Sequence, residues 1–117
     1  MITSVTIQQK EELLYWKTRV EKVMEYVSEN LAGDLRIITV SEKFNLNKST
    51  LQHIFKEQQK ETYHEYVERI RMEKALHLLK EGKWVKEVMD ITGYKNRGTF
   101  SRAFKNRYKC PPNFFKK

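Results

Sequence analysis

The sequence predicts an all-α fold of about seven helices. Apolar residues recur every three or four positions through long stretches of the 117-residue chain, which is the spacing of one helix face. Only four glycines and two prolines interrupt these stretches. No run of alternating apolar and polar residues is long enough to indicate a strand. The length favours a single domain with one modest core.

The helices are delimited by capping residues. The predicted helices cover residues 8–30, 38–44, 48–58, 62–81, 85–92 and 97–108, and a last short turn starts at Pro111. Asn47 and Asn96 are expected to cap two helix starts with their side-chain oxygens. Gly33 and Gly82 are expected to end the helices over 8–30 and 62–81 in the left-handed conformation.

The two halves of the chain contain a repeated segment. Residues 47–56 (NKSTLQHIFK) align with residues 96–105 (NRGTFSRAFK) at an offset of 49. A short helix precedes each copy, and the intervening turns hold Asn45 and Gly93, residue types that tolerate a left-handed backbone. A short helix, a turn and a second helix form a helix-turn-helix unit. The two expected units cover about residues 38–58 and 85–108, and a linker helix covers about 62–81.

The second helix of each unit has an apolar stripe and a polar stripe. The polar stripe combines small, amide and basic side chains, which suit the major groove of double-stranded DNA because Gln and Arg pair with purine edges. The candidate base-contacting residues are Ser49, Gln52, His53, Arg97, Thr99 and Arg102, of which Arg102 is the foremost. The candidate phosphate-contacting residues are Lys48, Lys56, Lys95 and Lys105.

Positive charge is concentrated in the second half of the chain. The net charge is +8, and residues 61–117 hold 14 basic and 7 acidic residues. Such asymmetry is typical of proteins that bind polyanions, although a solvated basic face gives the same pattern. One alternative is therefore a helical protein-interaction module whose basic face meets an acidic partner. RNA is disfavoured because the major groove of an A-form duplex does not admit a helix.

Other functional classes have little support in the sequence. The spacing of His53, His64, His77 and Cys110 matches no metal-ligand motif, and no catalytic set or phosphate loop stands out. We therefore expect no enzyme, cofactor or metal. The single cysteine fits a reducing cytoplasm, and no signal peptide or membrane span is visible. The expected location is the cytoplasm, at the nucleoid. The large aromatic residues Trp16, Trp84, Phe114 and Phe115 are expected to pack in or beside the core.

Several segments together follow one family pattern. They are VMDITGY at 88–94, FSRAFK at 100–105, PPNFFK at 111–116 and RIRMEKA at 69–75. With them the chain resembles the AraC/XylS family of transcription regulators over about residues 20–116. The resemblance implies two helix-turn-helix subdomains joined by a rigid linker helix, two recognition helices in successive major grooves, and RNA polymerase as a protein partner.

The sequence departs from the family pattern at a few positions. Lys109 replaces a common glycine after the second recognition helix, so that turn is expected to be strained or reshaped. Ser41 and Met89 replace small alanines, and Thr92 replaces an apolar residue. Gly98 weakens its helix by roughly 1 kcal/mol relative to alanine and offers no side chain to a base.

Residues 1–19 precede the expected DNA-binding domain of residues 20–117. This segment contains the apolar residues Val5, Ile7, Leu13, Leu14 and Trp16. We expect residues 8–19 to extend the first helix backwards, as part of a linker from an upstream sensing or dimerising domain. The rival interpretation is a leader that packs on its own core. In either case the apolar side is expected to fold back onto the domain or to pair with a second copy.

Overall fold

Helices account for most of residues 6–115, which are the residues described by the computed structural model. The elements are α1 (Ile7–Glu29), α2 (Ile37–Lys43), α3 (Lys48–Gln59), α4 (Tyr63–Lys80), α5 (Val85–Thr92), α6 (Arg97–Tyr108) and a 3-10 helix (Pro112–Phe115). No strand occurs within this range. The predicted all-α class is therefore confirmed, with the expected helix order.

Four of the α-helices, namely α1, α3, α4 and α6, start at a residue whose side chain accepts from a free backbone N–H group. Thr62 and Glu65 form a reciprocal capping box at the start of α4, with bonds of 3.0 and 2.8 Å.

At the far end of α4, Gly82 has a φ of 88°, which confirms the expected left-handed residue there. The same expectation for Gly33 is wrong. Helix α1 ends at Asn30, with φ −133°, and the Asn30 amide group caps the Tyr26 carbonyl at 2.8 Å instead.

The buried apolar side chains form two clusters rather than the single core that the length favours. The first cluster lies among α1 to α4 and contains Val20, Val23, Val27, Leu31, Leu35, Val40, Leu51, Phe55, Tyr63, Tyr66 and Val67. The second lies among α4, α5, α6 and the 3-10 helix and contains Met72, Ala75, Leu78, Leu79, Val88, Met89, Phe100 and Phe104. Helix α4 therefore contributes its first half to one cluster and its second half to the other.

Among residues 6–115, two polar side chains are buried, and both bond to their own helix. The Ser41 hydroxyl donates to the Ile38 carbonyl at 3.0 Å, and the Thr92 hydroxyl donates to the Val88 carbonyl at 2.7 Å. Since a buried hydroxyl is costly only when unpaired, these bonds accommodate two departures from the family pattern.

Some large apolar side chains lie outside both clusters. Trp84 and Phe114 are 67% and 70% exposed, so neither is a core residue. The Phe114 ring nevertheless contacts the Phe115 ring, with centroids 5.3 Å apart, and Phe115 packs beside the second cluster as expected. Trp16 is partly buried. In the first half of α1, Leu13 is 63% exposed, so this side of the helix does not fold back onto the domain.

No helix within residues 6–115 is long and apolar enough to cross a membrane.

Replacing Gly93 by alanine should destabilise the fold more than replacing Gly82 by alanine. Both glycines have left-handed backbones, with φ of 86° and 88°, so each change adds strain of about 1–2 kcal/mol. At Gly93 the new Cβ would also lie 2.3 Å from the Leu31 carbonyl oxygen, whereas at Gly82 it would meet nothing within 4 Å. Urea unfolding of both variants measures the difference. Equal losses in the free energy of unfolding would contradict this close approach.

Candidate nucleic-acid interface

The first helix-turn-helix unit consists of α2, a tight turn and α3. Asn45 occupies the left-handed region in the turn, with a φ of 55°, as the repeat predicts. The Leu46 N–H then donates to the Ser41 carbonyl at 2.8 Å, which folds the chain back across the end of α2. The Asn47 side chain accepts from the N–H of Ser49 at 2.9 Å and starts α3.

The second unit repeats this geometry with α5 and α6. Gly93 takes the place of Asn45 in the turn and has a φ of 86°. The Tyr94 N–H donates to the Met89 carbonyl at 2.9 Å, and the Asn96 side chain accepts from the Thr99 N–H at 2.9 Å. The repeat found in the sequence is therefore also a repeat of backbone hydrogen bonds and caps.

Both second helices end at a lysine in the left-handed conformation. Lys60 after α3 has a φ of 62°, and Lys109 after α6 has a φ of 64°. Their N–H groups donate to the Lys56 and Lys105 carbonyls at 2.9 and 2.8 Å. The family's glycine turn is thus kept at Lys109 rather than reshaped, at a conformational cost of about 1–2 kcal/mol.

The two faces of α3 and α6 are divided as the sequence predicts. The inward residues Leu51, Phe55, Phe100 and Phe104 are buried. All ten candidate DNA-contacting residues are exposed, namely Lys48, Ser49, Gln52, His53, Lys56, Lys95, Arg97, Thr99, Arg102 and Lys105. These side chains therefore lie where a large partner can reach them.

Residues of both units line a cleft of about 850 Å³. Lys48 and Gln52 of α3 and Thr99 of α6 are among its lining residues. Three of the candidate residues are thus brought together, so α3 and α6 border the same cleft. Seven candidates lie outside its walls, namely Ser49, His53, Lys56, Lys95, Arg97, Arg102 and Lys105.

The charges on the two second helices differ. Helix α6 contains no acidic residue, and neither does the rest of the described chain from Ile91 onward. Helix α3 contains Glu57, whose carboxylate lies 3.2 Å from Nε2 of His53. A protonated His53 therefore has an intramolecular partner that competes with any contact to DNA. Arg102 has no such acidic neighbour on its own helix.

The other histidines follow the same pattern as His53. His64 lies 3.9 Å from Glu68, and His77 lies 3.2 Å from Glu81, each one helix turn apart. All three histidines are exposed on helix surfaces. Among residues 6–115, no three His, Cys, Asp or Glu side chains are close enough together to hold a metal ion.

The connector between α1 and α2 carries polar contacts that the sequence analysis did not assign. The Asp34 carboxylate accepts from Arg36 at 2.7 Å and from Thr39 at 2.9 Å, and these bonds hold the pKa of Asp34 well below its usual range. The Tyr63 hydroxyl donates to the Leu35 carbonyl at 2.8 Å. Arg71 of α4 also donates to two carbonyls of this connector. No periodicity in the sequence marks such side-chain bonds to backbone carbonyls.

Curated relatives of the chain are regulatory proteins. The chain is 29% identical over 102 residues to the Msm operon regulatory protein of Streptococcus mutans serotype c, covering 86% of this chain and 37% of that protein. It is 24% identical over 98 residues to the multiple antibiotic resistance protein MarA of Escherichia coli K12, covering 83% of this chain and 77% of MarA. The chain thus spans little more than a third of the first relative.

Solved structures and a family model agree with these relatives. The C-terminal domain of AraT, a response regulator from Geobacillus stearothermophilus, has 27% identity and a TM-score of 0.79, with 84% of this chain and 83% of that chain covered. The C-terminal domain of the response regulator yesN from Fusobacterium nucleatum has the same fold, with 24% identity, a TM-score of 0.77 and coverage of 83% and 96%. Residues 40–117 match the family model described as a helix-turn-helix domain. The chain therefore belongs to the AraC/XylS family of transcription regulators and contains the helix-turn-helix DNA-binding domain of that family.

Proposed function

We propose that this protein recognises a specific double-stranded DNA sequence by placing α3 and α6 in successive major grooves. The observation that carries the proposal is that two repeat-related units expose polar, basic helices that border one cleft. Helix α4 has 18 residues and spans about 27 Å at 1.5 Å per residue. One turn of B-DNA spans about 34 Å, so a linker of this length suits two grooves on one DNA face.

Sequence preference comes mainly from the exposed stripe of α6. Arg102 is the foremost base reader, because its guanidinium group can donate two bonds to a guanine and no acidic residue on α6 competes for it. Gln52 contributes from α3 beside the cleft, and His53 contributes less because Glu57 pairs with it. Ser49, Arg97 and Thr99 lie in the first turns of their helices and complete the proposed base contacts.

Phosphate contacts set the register of the protein on the duplex. Lys48 and Lys56 on α3, with Lys95 and Lys105 around α6, are the proposed partners of phosphate oxygens. The free N–H groups at the starts of the two helices add to this attraction. Such contacts give affinity without sequence preference.

The outcome of DNA binding is regulation of transcription, with RNA polymerase as the protein partner. This step rests on the family and on the relatives, which are regulatory proteins by name. Residues 20–117 form the DNA-binding domain in this proposal. Residues 7–19 of α1, whose apolar side is largely exposed, are the extension that links it to a partner or a further domain.

Replacing Arg102 by alanine should weaken binding to the preferred duplex by about 1–3 kcal/mol and relax the choice at one or two base pairs. The reason is that a base contact, unlike a phosphate contact, distinguishes sequences. Lys105→Ala is the matched control on the same helix, and it should weaken binding equally on all sequences. Competition binding with single-base variants of the duplex measures both. Uniform weakening by Arg102→Ala would assign Arg102 to phosphate instead.

Affinity for DNA should fall steeply with salt concentration. If six to ten phosphates are neutralised, a plot of log K against log salt should have a slope of roughly −5 to −9, because bound counterions are released. Fluorescence anisotropy with a labelled duplex at several salt concentrations gives this slope. A flat plot would contradict DNA binding through the basic residues and would favour a protein partner for the basic face.

A further inference from the structure

The orientation of the two units depends on a narrow seam in α4. Val67 is the last buried α4 residue of the first cluster, against which Ile70 also packs, and Met72 is the first buried α4 residue of the second cluster. The four residues between them are only partly buried. A helix resists stretching, but it bends through small changes spread over many hydrogen bonds. Some further contact across the seam is therefore needed to hold α3 and α6 at one mutual angle.

Arg71 makes contacts across this seam. Its guanidinium group donates from Nε and Nη2 to the Leu31 carbonyl at 3.2 and 3.0 Å, and from Nη2 to the Gly33 carbonyl at 3.1 Å. Both carbonyls belong to the connector between α1 and α2, which leads into the first unit and contributes Leu31 to the first cluster. Hydrogen bonds from a charged donor to backbone carbonyls are among the stronger ones in proteins.

The same side chain also meets the turn of the second unit. The guanidinium carbon lies 5.9 Å from the centre of the Tyr94 ring, within the range of a cation–π interaction. A Cβ on Gly93 would lie 2.9 Å from Nη2 of Arg71 and 2.3 Å from the Leu31 oxygen. The recognition turn of one unit is thus packed against the connector of the other, with Arg71 between them.

We propose that Arg71 is a positioning residue that fixes the angle between the two units and thereby the separation of the two DNA half-sites. The proposal builds on the proposed two-groove function. Neither apolar cluster contains Arg71, so each unit keeps its own core without it. A lysine keeps the charge, but it lacks the planar fork that reaches two carbonyls and stacks on a ring.

The first test measures the angle without DNA. Spin labels are attached to cysteines introduced by Glu25→Cys on α1 and Asn106→Cys on α6, in a Cys110→Ser background. Pulsed electron paramagnetic resonance then measures the distribution of distances between the two labels. The distribution should be narrow in the otherwise native protein and broader with Arg71→Met and Arg71→Lys. Arg69→Met is the matched control and should stay narrow, because Arg69 pairs within its own region, with Glu61 at 2.7 Å and Glu73 at 3.4 Å.

The outcomes of this test are separable. A folded Arg71→Met or Arg71→Lys variant with an unchanged, narrow distribution would overturn the proposal. If neither variant folds by circular dichroism, Arg71 acts in stability rather than in positioning, and the proposal is equally overturned. If only Arg71→Met fails to fold, the distance distribution of the Arg71→Lys variant tests the proposal.

A second test measures half-site spacing on DNA. Duplexes carry the preferred half-sites with the spacer changed by one or two base pairs. Arg71→Met should lower the preference for the native spacing by about tenfold, which corresponds to about 1.4 kcal/mol of coupling, while leaving base choice within each half-site unchanged. An unchanged spacing preference would overturn the proposal. If the native protein selects no paired half-sites, the proposed function fails, whereas the distance measurement still decides the role of Arg71.

Discussion

The first half of α4 packs in one apolar cluster and the second half packs in the other, and the rest of the structure depends on this constraint. Each cluster draws on a stretch of about 50 residues or fewer, which is close to the lower limit for a domain without disulfides or metals. A shared helix gives each small core one long apolar face. It also means that neither unit can move without carrying its half of α4.

Helices α3 and α6 are placed by backbone features rather than by their exposed side chains. Asn45 and Gly93 turn the chain in the left-handed conformation, and Asn47 and Asn96 start the helices that follow. Because these features lie on the inner and end surfaces, the outer stripes are free to differ. Gly98 stands where the first unit has Ser49, and Arg102 stands where it has His53. The two units therefore present different chemistry, and one chain suits an asymmetric site.

Local patterns in the sequence predict local features of the structure well. The repeated segment located both turns and both asparagine caps, since these depend on a few neighbouring residues. Features that depend on the packing of distant segments were missed. Trp84 was expected to pack in or beside the core, yet it is largely exposed. The hydrogen bonds from Arg71 to the connector, 40 residues away in the chain, are not marked by any periodicity in the sequence. The candidate DNA-contacting stripe was predictable because an exposed helix face follows from its buried opposite face.

Selection of bound duplexes from a random pool by the whole chain tests the central claim most directly. The account predicts an enriched motif with two dissimilar short elements whose centres lie about one helical turn, or 10 base pairs, apart. The relative orientation of the elements should be constant among the selected duplexes, because one rigid chain contacts both. Enrichment of a single short element, or of two elements at many spacings, would contradict the claim that α3 and α6 act as one rigid pair.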